Sequence, residues 1–120
     1  MARLALISDI HANLEAFEAV LAQVHAEAPD QVICLGDVVG YGPDPAACVE
    51  IVYETCDVAL LGNHDEAALQ EQLPTAFNPA ALASLEYTRR MITPVHKSTI
   101  RNWETRRLIE GVALTHGSFG

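Results

Sequence analysis

Three runs of four residues are apolar at every position, and they limit the possible folds more than any other feature of the sequence. The runs cover residues 4–7, 32–35 and 58–61. A strand that is apolar throughout is typical of a parallel sheet that is buried on both faces. Between the first runs, apolar residues recur every three or four positions, which is the spacing of an amphipathic helix. This alternation predicts an α/β fold with right-handed crossovers, a largely parallel sheet and flanking helices.

Local signals also predict where the helices begin and where a further strand lies. Asn13 and Asp44 are predicted helix caps. Asn78 and Thr93 are each followed by proline, a residue common at the first helical position, and so predict two further helix starts. Residues 112–114 form one more short apolar run, which predicts a last strand. No linker or internal repeat interrupts the chain, so we expect a single domain over residues 1–120.

The charge of the chain argues against several classes of partner. Seven Lys and Arg residues face 16 Asp and Glu residues, which gives a net charge of −9. Such a negative chain is poorly suited to nonspecific binding of nucleic acid or of an anionic membrane, but it is compatible with metal cations. No apolar run approaches the roughly 18 residues of a membrane span. We therefore expect a globular domain with neither a membrane nor a nucleic acid as partner.

The basic residues are unevenly distributed. Residues 1–88 contain a single basic residue, Arg3, whereas residues 89–120 contain the other six. A solvated helix face explains this distribution. The alternative interpretation is a basic rim that attracts a phosphorylated substrate.

Cysteine usage predicts a reducing compartment. The chain has three cysteines at irregular spacing. Cys48 and Cys56 lie eight positions apart on a predicted helix, roughly 12 Å of rise, which is too far for a disulfide. Cys34 lies within a predicted strand and is expected to pack in the core. The first apolar run is too short for the core of a signal peptide, so we expect a cytoplasmic protein.

Polar residues of metal-binding types follow each predicted strand. Because the carboxyl ends of parallel strands meet at one edge of a sheet, four segments distant in sequence are expected to converge on one crevice. Taken singly, each residue has an ordinary explanation, such as a helix cap or a turn. His25 and His96 lie away from strand ends and are interpreted as structural. The residues that follow the strands are Asp9, His11, Asp37, Asn63, His64, Asp65 and His116.

The residue types in this set indicate which ligand they bind. Mixed oxygen and imidazole donors suit divalent ions such as Mn²⁺, Fe²⁺, Zn²⁺ or Ni²⁺, and the absence of thiolates argues against a structural zinc site. A shared carboxylate can bridge two ions, which together clamp a phosphate and activate a water molecule for in-line attack. Competing motifs are absent: the sequence contains neither a P-loop nor a dinucleotide fingerprint nor a nucleophile elbow.

The motifs in chain order resemble those of the calcineurin-like metallophosphoesterase family. The matching blocks are Asp9-Ile10-His11, Gly36-Asp37, Gly62-Asn63-His64-Asp65 and His116-Gly117. They span residues 9–117, and it is their combination that makes the resemblance specific. Residues 36–45 further resemble the small stand-alone bacterial members, which are described as phosphodiesterases or phosphoprotein phosphatases.

The resemblance implies a role for each motif residue. Asp9 and His11 would bind one metal, Asn63 and His116 the other, and Asp37 would bridge both. His64 would face the scissile phosphate and protonate the leaving oxygen, consistent with a general acid placed beside two cations. Asp65 would orient His64. The implied activity is hydrolysis of a phosphomonoester or phosphodiester, from a small substrate or a phosphoprotein, by a hydroxide that the two metals activate.

The chain departs from the family pattern at its end. It lacks the Gly-His-x-His block that supplies one more ligand to each metal, and the resemblance covers only the first half of a four-layer α/β/β/α sandwich. A truncated enzyme, a site completed by a partner subunit, and a non-catalytic metal-binding or interaction module all remain open. An apolar sheet left without its cover predicts a homo-oligomer, most simply a two-fold dimer.

Overall fold

The computed structural model describes residues 2–117 and contains five strands and five helices within them. The strands are β1 Leu4–Ile7, β2 Gln31–Cys34, β3 Val58–Ala59, β4 Arg106–Ile109 and β5 Val112–Thr115. The helices are α1 Leu14–Glu27, α2 Pro45–Thr55, α3 Asn63–Leu69, α4 Pro79–Met91 and α5 Pro94–Arg101. The predicted alternation of strand and helix through the first three strands is confirmed.

A parallel sheet with the strand order β1-β2-β3 forms the centre of the fold. Leu4 aligns with Gln31 between the first two strands, and Ile33 aligns with Val58 between the second and third. Both pairs are parallel, and a helix connects each strand to the next, which confirms the predicted α/β architecture. This arrangement directs the three carboxyl ends of the strands toward the same edge of the sheet.

The last predicted strand belongs to a second, smaller sheet. β5 pairs with β4 in an antiparallel hairpin instead of extending the parallel sheet. Glu110 and Gly111 connect the two strands, and both have positive φ, 50° and 77°. Such a two-residue loop matches the twist of a hairpin. The strand predicted at residues 112–114 is therefore confirmed as β5, whereas its partner β4 was not predicted, because β4, with two arginines, carries a weak strand signal.

The two faces of the sheet are covered to different extents. Phe17 and Leu21 of α1 are buried in the main core on one face. On the other face, Leu114 of the hairpin belongs to the same cluster as the fully buried Ile33. Leu6 of β1 remains 49% exposed. The expectation that every apolar run is buried on both faces is met by β2 but not by β1, because β1 is an edge strand.

Helix starts follow the local sequence signals closely. Asn13 accepts a hydrogen bond from the backbone N–H of Ala16 and so caps α1. Asn78 and Thr93 cap α4 and α5 through their side chains in the same way. Asp44 stands at the cap position of α2 but its side chain makes no capping hydrogen bond. Each capping bond is worth about 0.5–2 kcal/mol to the helix that it starts.

All three cysteine thiols are free. Cys34 is fully buried in the core, as predicted, and burial raises its pKa. Burial likewise raises the pKa of Cys48 to about 12 and that of Cys56 to about 11. The thiols are therefore protonated at neutral pH and poorly nucleophilic.

Residues 2–117 include no helix with both the length and the apolar character needed to cross a membrane.

Candidate metal centre

The structure brings together all six residues that the sequence analysis assigned to metal binding and catalysis. They come from the segments that follow β1, β2, β3 and β5, so residues up to 107 positions apart in sequence share one site. Asp37 lies at its centre, with a side chain that is only 4% exposed. Asp9, at the rim, is 57% exposed. The six residues are Asp9, His11, Asp37, Asn63, His64 and His116.

The backbone at three of these residues adopts a conformation that side chains disfavour. Asp9, His11 and Asp37 have φ values of 56°, 47° and 56°, in the left-handed region. Hydrogen bonds between the loops stabilise this geometry: the N–H of Asp9 donates to Gly36 O, and that of His11 donates to Asp37 O, both at 2.9 Å. Strained residues of this kind cost about 1–3 kcal/mol each and cluster at functional sites. The loops after β1 and β2 therefore fix the directions of three candidate ligands.

Two glycines allow the loops after β2 and β3 to approach each other closely. A Cβ atom at Gly62 would overlap the backbone nitrogen and Oδ1 of Asp37. Gly36 has a φ of 108°, and a Cβ atom there would lie 2.7 Å from the nitrogen of Gly62. Only glycine fits at either position, so the two glycines are required for Asp37 and Asn63 to lie in one site.

Asp65 connects these two loops through their backbones. It is fully buried, and burial raises its pKa to about 6, against the opposing effect of the N–H groups that it binds. Its oxygens accept hydrogen bonds of 2.8–3.1 Å from the backbone N–H groups of Asp37, Val38, Val39 and Gly62. The expectation that Asp65 orients the ring of His64 is wrong. It instead holds the backbone that carries Asp37.

Three imidazole nitrogens surround one oxygen atom of Asp37. Oδ2 lies 3.2 Å from Nδ1 of His64, 3.3 Å from Nε2 of His116 and 3.7 Å from Nε2 of His11. The other oxygen, Oδ1, accepts a hydrogen bond of 2.9 Å from the backbone N–H of His64. One buried carboxylate is thus the meeting point of three histidines.

The tautomers of two of these histidines follow from their second ring nitrogen. Nδ1 of His11 lies 3.1 Å from the carbonyl oxygen of Val39, and Nδ1 of His116 lies 2.9 Å from that of Leu35. A carbonyl can only accept, so each Nδ1 carries a proton, and in the neutral tautomer each Nε2 presents a lone pair to Asp37. Histidines that bind metals are oriented in this way by backbone carbonyls.

The contacts of Asp37 with His11 and His116 indicate whether a cation can bind in the site. With both rings neutral, two lone pairs and a carboxylate oxygen at 3.3–3.7 Å repel one another, and positive charge between them removes that repulsion. Bound divalent ions provide that charge, and carboxylate, imidazole and amide oxygen are ligands that such ions accept. The residues present therefore fit divalent metal ions.

Asn63 completes one side of the site. Its amide lies 3.1 Å from Nε2 of His116. In the orientation that best satisfies its neighbours, the NH₂ group donates to His116 and to both oxygens of Asp37, at 3.0–3.1 Å. A cation in this position would favour the opposite orientation, with the amide oxygen toward the ion.

The geometry forms two groups of three possible ligands, and Asp37 belongs to both. One group contains His11, Asp37 and His64, and the other contains Asp9, Asp37 and His116. Within each group the ligand atoms lie within 4.8 Å of one another. Asp37 is thus the one side chain that can contact two ions at once in this arrangement.

His64 differs from His11 and His116 in the surroundings of its second ring nitrogen, Nε2. Its Nε2 is buried and has no hydrogen-bond partner among the described residues. The ring packs between those of Tyr41 and Phe77, with centroid separations of 5.1 and 4.9 Å. These two aromatic residues were not predicted from the sequence. The signal for Tyr41 is its position between two glycines of the loop after β2, and Phe77 carries no recognisable motif.

The two remaining histidines lie outside the site. His96 caps α5, since its Nδ1 accepts the N–H of Thr93 at 2.9 Å, and its Nε2 lies 2.9 Å from a carboxylate oxygen of Glu50. His25 is exposed on α1. Their interpretation as structural residues agrees with these positions.

Comparison with protein families decides what kind of domain carries this site. The model of the calcineurin-like phosphoesterase family matches residues 2–118. This chain belongs to that family. The resemblance inferred from the motifs is thereby confirmed, and the calcineurin-like phosphoesterase fold accounts for ligands placed at the ends of successive parallel strands.

Three calcineurin-like or similarly folded proteins illustrate the relationship. An uncharacterized protein of Methanocaldococcus jannaschii is 38% identical over 89 residues, which are 74% of this chain and 37% of that protein. The crystal structure of a metallophosphoesterase from Sphaerobacter thermophilus matches with a TM-score of 0.75 and 37% identity, covering 90% of this chain and 44% of that one. A hypothetical protein of Pyrococcus horikoshii OT3 shares the fold, with a TM-score of 0.77 and 18% identity, over 89% of this chain and 50% of that one. The chain thus spans at most half the length of these proteins.

Proposed function

We propose that this chain provides the metal centre of a metal-dependent phosphoesterase, which hydrolyses a phosphomonoester or a phosphodiester. One observation carries the proposal: Nε2 of His11 and Nε2 of His116 both face the same buried oxygen of Asp37, while a backbone carbonyl holds each Nδ1. This arrangement calls for cations, and membership of the calcineurin-like phosphoesterase family supports phosphoester hydrolysis as the reaction.

Five side chains would hold two divalent ions. We assign Asp9 and His11, whose Oδ1 and Nε2 lie 3.5 Å apart, to one ion. We assign Asn63 and His116, whose Oδ1 and Nε2 lie 3.1 Å apart, to the other ion, and Asp37 to both. Asp9 also lies within reach of the ligand atom of His116. The donor set suits Mn²⁺, Fe²⁺, Zn²⁺ or Ni²⁺. When bound, the ions would polarise the phosphate oxygens and lower the pKa of a water molecule.

His64 is suited to act as the general acid. Asp37 holds the ring from two directions, through the backbone N–H of His64 at 2.9 Å and through Nδ1 at 3.2 Å. A carboxylate at Nδ1 orients the ring. In the doubly protonated ring, Nε2 carries the proton that would be donated to the leaving oxygen.

The hydrolysis assay tests this function directly. The protein is incubated with 4-nitrophenyl phosphate and with bis(4-nitrophenyl) phosphate, in the presence of Mn²⁺ or of a chelator. We expect release of nitrophenol that depends on added metal. Turnover that persists in the chelator would contradict the proposal.

A non-catalytic metal-binding or interaction module is the alternative. This chain covers 37% of the Methanocaldococcus protein and 44% of the Sphaerobacter structure, so the activity of a whole relative is not by itself evidence of turnover by this chain. The same experiment separates the two functions. Stoichiometric metal binding without turnover of either ester would favour the alternative.

Asp37→Asn is expected to remove most of the bound metal, because its carboxylate is the shared ligand of both groups. Elemental analysis after dialysis is the measurement, and circular dichroism verifies folding. Asp44→Asn is the matched control, since Asp44 lies in the same loop and its side chain makes no capping hydrogen bond. Equal metal content in Asp37→Asn and the wild type would refute the site.

The homo-oligomer expected from the sequence remains a prediction. Apolar side chains stay exposed on β1 and on the hairpin: Leu6 is 49%, Val112 is 52% and Leu108 is 69% exposed. Exposed apolar groups on strands favour association between copies. Light scattering is expected to give twice the 13.0 kDa chain mass, and Leu108→Lys should shift the protein toward monomer. A wild-type protein that scatters as a 13.0 kDa monomer would contradict the prediction.

A further inference from the structure

An aromatic cleft of about 320 Å³ lies directly beside the candidate general acid. Tyr41 and Phe77 form two of its walls, and the ring of His64 lies between them, with centroids 5.1 and 4.9 Å away. Asn63, from the metal centre, and Asn78 contribute the polar lining. A group attached to a phosphate at the metal centre would therefore extend into this cleft.

Tyr41 is placed in the cleft at a conformational cost. Its backbone is left-handed, with a φ of 65°, a conformation that bulky residues rarely adopt. The side chain is nevertheless 49% exposed, so its ring is only partly used in packing. The loop is fixed by the N–H of Gly42, which donates to His11 O at 2.9 Å. A strained loop that presents a half-exposed aromatic ring is typical of a ligand contact.

Phe77 is held opposite by the start of a helix. It directly precedes Asn78, whose side chain accepts the N–H of Ala81 at 2.8 Å and caps α4. This cap fixes the backbone directly after Phe77, at the end of the segment that connects α3 to α4.

The side chains that line the cleft indicate which kind of chemical group can bind in it. Among residues 2–117, the side chains that line the cleft include no Asp, Glu, Lys or Arg. A charged leaving group would find no partner there, whereas a flat neutral ring can stack on either aromatic side chain. The two asparagines offer hydrogen bonds to polar atoms at the edge of such a ring.

We infer that this cleft binds the leaving group of the phosphoester, and that this group carries a planar aromatic ring, either an aryl group or a nucleobase. The inference rests on the proposed function. In the reaction, water supplies the new oxygen on phosphorus, the bond from phosphorus to the leaving oxygen breaks, and the leaving alcohol or phenol takes up one proton. Tyr41 and Phe77 would determine which leaving groups are accepted, without taking part in proton transfer.

Binding of probes that contain no phosphate tests the inference independently of hydrolysis. Adenosine, phenol and ribose are titrated into the ¹⁵N-labelled protein in the presence of a chelator, and the amide resonances of residues 41, 64 and 77 are followed. We expect adenosine, phenol or both to shift these resonances, with ribose causing no shift. The first two probes distinguish a nucleobase from an aryl group. The absence of shifts with both aromatic probes, or equal shifts with ribose, would overturn the inference.

Variants of Tyr41 and Phe77 test whether these two rings bind the aromatic probe. Tyr41→Leu and Phe77→Leu are each expected to weaken binding of the aromatic probe roughly tenfold, in line with the loss of one stacking contact. Tyr53→Leu is the control, because Tyr53 lies on α2, is 74% exposed and does not line this cleft. Weakening by Tyr53→Leu equal to that by the other two variants would contradict the assignment. Because these measurements need no turnover, failure of the proposed hydrolysis would be seen separately, in the nitrophenyl assay.

Discussion

Replacing Asp65 by asparagine is expected to lower the free energy of unfolding by about 2–6 kcal/mol. The carboxylate binds four buried backbone N–H groups, and an amide, with its single oxygen, leaves about two of them without a partner. Each unpaired buried donor costs about 1–3 kcal/mol. Urea unfolding of the metal-free protein at pH 7.5, followed by circular dichroism, measures the change.

Asp57→Asn is the matched control for this change. Asp57 is exposed, and its side chain accepts one hydrogen bond, from the N–H of Val32 at 2.8 Å. An amide oxygen can accept that bond equally well, so the control should lose less than about 1 kcal/mol. Similar losses in the two variants would show that Asp65 does not connect the two loops in the way described.

Replacing His64 by alanine is expected to lower kcat by roughly 10²–10⁴-fold, the usual contribution of a general acid. The amount of bound metal should stay the same, because Asp9, His11, Asp37, Asn63 and His116 are all retained. Turnover of nitrophenyl esters and elemental analysis of the same samples provide the two measurements.

His25→Ala serves as the control for His64, since His25 is exposed on α1, away from the site. It should leave both turnover and metal content unchanged. Simultaneous loss of metal and turnover in His64→Ala would identify His64 as a metal ligand instead, which its 3.2 Å approach to Asp37 makes a meaningful alternative.

The strands and helix starts that were predicted correctly are those whose sequence signal lies within a few consecutive residues. The strands β1 and β2 follow from apolar runs, which require burial wherever they lie. The starts of α1, α4 and α5 follow from side chains that bind nearby backbone N–H groups, a contact that involves only three or four consecutive residues. Because such contacts involve only neighbouring residues, they can be inferred from the sequence without knowledge of the tertiary structure.

The hairpin and the short third strand depended on contacts distant in sequence. Residues 58–61 look like a complete strand, yet the ladder with β2 covers only Val58 and Ala59, and Leu60 pairs with Glu104 instead. The pairing of β4 with β5 is stabilised by the burial of Leu114 against Ile33 of the sheet. The spacing of apolar residues along the chain does not indicate that β5 pairs with β4.

The site residues that follow β1, β2 and β3 were predictable, because ligands that follow parallel strands converge on one sheet edge. His116 follows the antiparallel hairpin instead, and a contact with the carbonyl of Leu35 holds it in the site. The roles within it required the tertiary structure. Nε2 of His11 and Nε2 of His116 face Asp37 because Val39 and Leu35 present their carbonyls to the opposite ring nitrogens. Asp65 holds four N–H groups instead of orienting His64, and Phe77 joins the site from a separate loop. Residue types and their order along the chain thus determine which groups can meet, whereas the direction of each hydrogen bond is decided by backbone atoms that approach only when the chain has folded.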